Sequence, residues 1–150
     1  MSKKILTTGP MMVPRKITGD PVGGPPDEVA ITIINPTSKN FKVQVFADIC
    51  PPDSTTVRTE SSDLFTILNN SCLRLRLFNS VLPDSIIRLY AIGHIDKDAK
   101  KLEISFVGRR ASDRMHEPTM FFRHADLIEV ENEDIHHVPR TTVASNWEIC

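Results

Sequence analysis

The chain lacks most of what announces an activity. Only 6 of its 150 residues are glycine, and none falls in a GxxxxGKS/T or GxGxxG arrangement, so the backbone cradles that hold nucleotide phosphates are missing. Gly23-Gly24 runs straight into Pro25-Pro26 and cannot open a helix around a phosphate. There is no GxSxG nucleophile elbow. Charge of one sign is missing too: 18 Lys and Arg stand against 19 Asp and Glu, which argues against a nucleic-acid partner held by bulk positive charge. No apolar run approaches the length of a membrane span. The opening Met1-Ser2-Lys3-Lys4-Ile5-Leu6 has basic residues without the longer apolar stretch of a secretion signal, so cytoplasmic synthesis is expected.

The titratable inventory is equally spare. Three cysteines, Cys50, Cys72 and Cys150, are not spaced as zinc ligands. Their odd number leaves two readings open: reduced thiols, or pairing between chains. Cys150, the last residue, is placed to reach a neighbour, and Cys50 with Cys72 is a candidate disulfide across the fold. Of five histidines, His94, His116, His124, His136 and His137, the adjacent His136-His137 would point to opposite faces of an extended chain, poor geometry for one metal. His94 and Asp96 share a strand face, but two ligands do not make a site. Asp53, Asp63, Asp84, Asp96 and Asp113 sit at turns, where Asp caps backbone groups. No catalytic residue, metal or cofactor is assigned. Arg109, Arg110, Arg114 and Arg123 form a local basic concentration, with Arg74, Arg76 and Arg88 on earlier segments. If these faces coincide they form an anion-binding patch; otherwise they serve surface ion pairs.

What the sequence does have is alternation. Val29, Ile31 and Ile33 take one side of a strand. Phe41, Val43, Val45, Ala47 and Ile49 take one side of the next, with Phe46 the apolar exception opposite. Leu73, Leu75 and Leu77 alternate with Arg74 and Arg76, and a helix would put those leucines on different faces. Ile87, Leu89 and Ala91 repeat the pattern, as does 102–108, and 119–130 holds one or two more strands. The polar turn Asn35-Pro36-Thr37-Ser38 suggests a hairpin, and Asp96 to Lys100 a second. Seven or eight strands at short spacing, without an amphipathic helix, predict an all-β antiparallel sandwich or jelly roll.

This sandwich spans 28–130, between an N-terminal arm at 1–27 and a C-terminal tail at 131–150. Gly9-Pro10, Pro14, Gly19-Asp20-Pro21 and Gly23-Gly24-Pro25-Pro26 break the arm too often for a long strand. Met11, Met12 and Val13 are its apolar anchors for a groove on another subunit. The arm is basic (Lys3, Lys4, Arg15, Lys16) and the tail base acidic (Asp126, Glu129, Glu131, Glu133, Asp134), a pairing that suits contact between copies. Trp147, the sole Trp, lies in the tail, as an interface anchor or folded back on its own domain.

EVAITIINPTSKNFKVQVFADICPP at Glu28–Pro52, Ile104-Ser105-Phe106-Val107-Gly108-Arg109, and His124-Ala125-Asp126-Leu127-Ile128-Glu129-Val130 resemble small β-sandwich proteins of spore-forming bacteria, similar to endospore appendage pilins. That resemblance implies a jelly-roll subunit that assembles into fibres through an N-terminal connector, with disulfides between subunits. Those connectors carry Cys and this arm has none, a departure that weighs against a disulfide lock through the arm, with Cys150 the candidate substitute. The expectation is a non-enzymatic, self-assembling structural subunit of filament or coat type, at the spore surface or released by lysis. Its partners would be copies of itself and a surface protein, with no membrane. The alternative is a β-sandwich binding module for a protein or carbohydrate.

Overall fold

Inward-facing residues that recur every second position must meet another such layer to leave water, and here two sheets meet. The computed structural model describes residues 3–20, 22–130 and 147–149. Its strands are β1 (Lys4–Met12), β2 (Glu28–Asn35), β3 (Phe41–Cys50), β4 (Arg58–Ser61), β5 (Phe65–Ile67), β6 (Ser71–Phe78), β7 (Ile86–Gly93), β8 (Glu103–Arg109), β9 (His116–Phe122), β10 (Ile128–Val130) and β11 (Trp147–Ile149), with a 3-10 turn at His124–Asp126. Sheet I runs β10-β1-β7-β3-β4, with β5 also on β3; sheet II runs β11-β6-β2-β8-β9. All pairs within the sheets are antiparallel. The protein is an all-β sandwich, as the alternation predicted.

The core consists of the alternating residues. Val29, Ile31 and Ile33 from β2 and Leu75 and Leu77 from β6 face Val43, Val45, Ala47, Ile49, Ile87, Leu89 and Ala91 of sheet I, all buried. Each Leu or Ile so buried contributes about 1.5–3 kcal/mol of transfer free energy.

The two expected hairpins are arches between sheets instead. β2 lies in sheet II and β3 in sheet I. Buried Asn35 holds the crossing: its Nδ2 donates to the carbonyls of Lys39 (2.7 Å), Ile67 (2.9 Å) and Leu68 (3.1 Å), and its Oδ1 accepts the Thr37 N–H at 3.1 Å. β7 and β8 likewise part after a single bridge, Ile95 to Leu102. Alternation tells which side of a strand is inward, but the inward sides of both sheets read alike. A polar turn therefore suits either a hairpin or an arch.

The expected arm is a correction. Residues Lys4–Met12 form β1, between β10 and β7. The Gly9-Pro10 breaker is absorbed as a β-bulge, where the register on β7 shifts between Thr7 and Pro10. Gly9 sits at φ +75°, which favours glycine. The Thr7 hydroxyl accepts the Gly9 N–H at 3.1 Å, and the Thr8 hydroxyl accepts the Leu89 N–H at 3.1 Å, so side chains supply bonds that the ladder loses. Among the described residues β10 pairs only as far as Thr7, so Pro10 lies where β1 has no second neighbour, a position that tolerates proline.

The loop that follows is fastened as well. Val13 exchanges backbone bonds with Ser85 and Asp84, both 2.9 Å. Ile17 is buried. Buried Glu117 accepts the Thr18 N–H at 2.6 Å, and Arg110 pairs with Asp20 and donates to the Gly24 carbonyl at 3.1 Å. Of the arm–tail charge attraction expected between copies, Lys4 to Glu129 (3.6 Å) is made within one chain. Trp147 also turns inward: β11 adds to β6, and the indole donates to the Glu60 carbonyl of β4 at 3.3 Å.

Leu6→Ala is expected to cost about 2–5 kcal/mol, seen as a lower urea midpoint, whereas Met12→Ala on the exposed side stays within about 0.5 kcal/mol. Equal midpoints for the two variants would show that β1 is not integral to the sandwich.

Candidate functional site

The outer faces of the two sheets differ in kind. On sheet I, some residues that alternate outward are buried: Ile5, Phe46 and Tyr90 form a second apolar cluster, with Ile92 and Val130 against it, while Met12, Ile86 and Ile128 stay exposed. The Phe46 and Tyr90 rings stack at 5.0 Å, 10° from parallel. Asp48, buried in the same face, accepts from Thr59 Oγ1 (2.7 Å), Tyr90 Oη (3.3 Å) and both Arg88 Nε (3.0 Å) and Nη2. Arg88 lies 5.1 Å over the Tyr90 ring. Burial raises the Tyr90 phenol well above its usual range, and the Asp48 charge adds to this. Every polar group of this knot bonds another member, so its work is structural. Phe46, the apolar exception of β3, was the visible signal for it.

The outer face of sheet II is solvated. Register places its residues in rows across β6, β2 and β8. Phe78, Glu28 and Arg109 make one; Arg76, Ala30 and Val107 the next, extended by Glu148 on β11 and Phe121 on β9. Arg74, Thr32 and Ser105 follow, then Cys72, Ile34 and Glu103. The centre is small and hydroxylated, with Thr32 and Ser105 hydrogen-bonded to each other. Ile34 (51% exposed), Phe121 (48%) and Phe78 (51%) stand out into water.

Three of the arginines singled out in the sequence, Arg74, Arg76 and Arg109, do share this face. Two are neutralised. Glu28, only 2% exposed, is paired with Arg109 and lies 3.8 Å from Arg76, which also bonds Glu148 at 3.1 Å. Arg88 belongs to sheet I, Arg123 pairs with Asp126 at 3.4 Å, and Arg110 is bound between Asp20 and Asp113. The seven arginines therefore do not form one anion patch.

The remaining sequence candidates scatter. Of the arm anchors, Val13 is in the core, Met11 packs against it and Met12 is exposed. With Met11 and Met12 paired to β7 and Val13 in the core, they are not a free arm for a neighbour's groove. Cys50 and Cys72 are free thiols, a correction to the candidate disulfide. Cys72 lies opposite Ile34, where β2 crosses to β3, while Cys50 lies at the far end of β3, about 30 Å along an extended strand. Cys150, His136 and His137 lie outside the described residues. Among the described residues no three His, Cys, Asp or Glu side chains group as metal ligands. His94 and Asp96 serve the backbone: His94 Nδ1 accepts the Lys42 N–H at 2.9 Å, and Asp96 accepts the Lys100 N–H at 3.0 Å. Buried His124 accepts the Ile104 N–H through Nδ1 at 3.1 Å, with Nε2 2.6 Å from the Asp96 carbonyl.

No protein-family model matches the chain, and no curated protein does. Among solved structures, a crystal structure titled Thermotoga maritima 1070 aligns over 86% of this chain and 91% of its own, at 11% identity and a TM-score of 0.44.

Tyr90, the single Tyr, is expected to stay un-ionised in the folded protein past the pH of about 10 at which an exposed phenol titrates. Above that pH the unfolded chain holds fewer protons, so stability falls as pH rises. Phenolate absorbance that tracks unfolding verifies this; an ordinary titration of the folded protein contradicts it. At the acid side, burial lowers the His94 pKa, helped by the charges of Lys101, Lys3 and Lys42. The unfolded imidazole takes its proton first, near pH 6.5, so stability drops as pH falls from there. Denaturation of the native chain and His94→Gln at pH 8 and pH 5 checks it; an identical pH dependence in both contradicts the role of His94.

Proposed function

We propose that this protein is a non-enzymatic structural subunit that works by associating with copies of itself, and that its contact surface is the outer face of sheet II. The observation that carries this reading is the asymmetry of the two outer faces. Sheet I covers part of its outer side with the Ile5, Phe46 and Tyr90 cluster and leaves Met12, Ile86 and Ile128 exposed toward its margin, whereas sheet II leaves Ile34, Phe78 and Phe121 in water among charged residues. Exposed apolar groups spread over a flat face between charged residues are compatible with an association surface.

The N-terminal segment is not the contact in this reading, because β1 is built into sheet I between β7 and β10. The titratable groups with defined partners also favour a structural role. Glu28, Asp48, Glu117, Arg110 and His124 all hold chain segments together.

Light scattering and negative-stain electron microscopy over a wide concentration range, with and without reductant, test the reading. Species larger than one chain are expected to grow with concentration. If reductant dissolves them, a thiol takes part, and exposed Cys72, on this same face, is the described candidate. One uniform single-chain species throughout would sink the proposal in favour of a module that binds something else.

A further inference from the structure

The outer face of sheet II carries a charge pattern that names its own partner. Glu28 binds Arg109 and Arg76, and Glu148 binds Arg76, so four of the charged residues on this face are already matched within one chain. Two exposed side chains are left over. Arg74 on β6 and Glu103 on β8 have no ion partner among the described residues. They stand on opposite sides of β2: Arg74 is opposite Thr32, and Glu103 is opposite Ile34, one outward position farther along. One unmatched positive and one unmatched negative charge, flanking a central strand, are self-complementary under a two-fold rotation.

We propose that two copies of this chain pack face to face through the outer surface of sheet II, about a two-fold axis running roughly along β2, with Arg74 of each copy against Glu103 of the other. This deepens the self-association reading and rests on it. A rotation about β2 lays β6 of one copy over β8 of the other. Sheets pack about 10 Å apart, and the long Arg74 side chain spans the one-row offset to the partner's Glu103. Thr32, Ala30 and Val107 keep the centre flat enough for close approach, and Ile34 and Phe121 supply the apolar contact. Five strands about 4.8 Å apart give a face of about 500 Å² per copy, or about 1,000 Å² in all. That is the lower bound for a specific interface, so the dimer is weak and reversible.

Charge reversal tests the reciprocity, measured by sedimentation equilibrium. Arg74→Glu alone and Glu103→Arg alone are each expected to weaken self-association at least about tenfold, because each reversal makes two like-charge contacts. An equimolar mixture of the two single variants should recover association, since both contacts between unlike chains are again opposite in sign. The double variant should associate with itself but not with the native chain. Both side chains are exposed, so unfolding midpoints should stay at the native value. If the native chain associates and the single variants associate equally well, the contact lies elsewhere and only this inference falls. A native chain that stays single at every concentration overturns both this inference and the self-association reading.

Discussion

The structure depends on one strand being threaded into the middle of a sheet. Without β1, β7 would become an edge and β10 would lose its pairing partner in sheet I. Leu6 and Val13 would leave the core, and Ile5 would leave the cluster on the outer side. The Val13–Asp27 connection would lose its anchor at Ser85. That strand is possible only because Gly9 takes up a left-handed turn of the backbone and two threonine hydroxyls stand in for the ladder there. A local conformational allowance of one residue thus decides whether the chain begins as a free arm or as part of the core.

The same position shows where sequence reading stops. Period-two alternation placed the inward residues of β2, β3, β6 and β7 correctly, because burial of one face is a local property of a strand. Density of Gly and Pro was misread in β1, because a bulge and a lone edge position tolerate what a regular paired strand does not. Strand order was invisible, since the inward side of β3 carries no mark saying which sheet it belongs to; Asn35, which fixes the arch, reads locally as an ordinary turn residue. On the candidate site, the arginines were visible but their faces were not. Only register shows that Arg74 shares a surface with Arg76 and Arg109, while Arg88 faces away on sheet I. Trp147 had two readings open, and the hydrogen bond to Glu60 makes it a clasp between sheets.

The buried polar groups divide the labour of holding this sandwich together. Asn35 ties the arch at one end, Glu117 and Arg110 bind the long connection to β9 and its loop, and Asp48 stitches β3, β4 and β7 across the outside of sheet I. Each is satisfied by several donors or by an ion pair, which is the condition for such groups to specify a structure without destabilising it. Sheet II needs less of this, because one of its sides remains in water.

The strands that border the described sheets have a further consequence. β10 and β11 are three residues each, β5 is three and β4 four. The one longer border strand, β9, carries Pro118, which offers no N–H to an incoming strand. Recruitment of further chains by adding strand to strand, the route by which exposed sheets template open-ended aggregates, meets a poor docking rail along each of these borders. An assembly built on a reciprocal face, as proposed, closes at a fixed number of members instead of growing without limit.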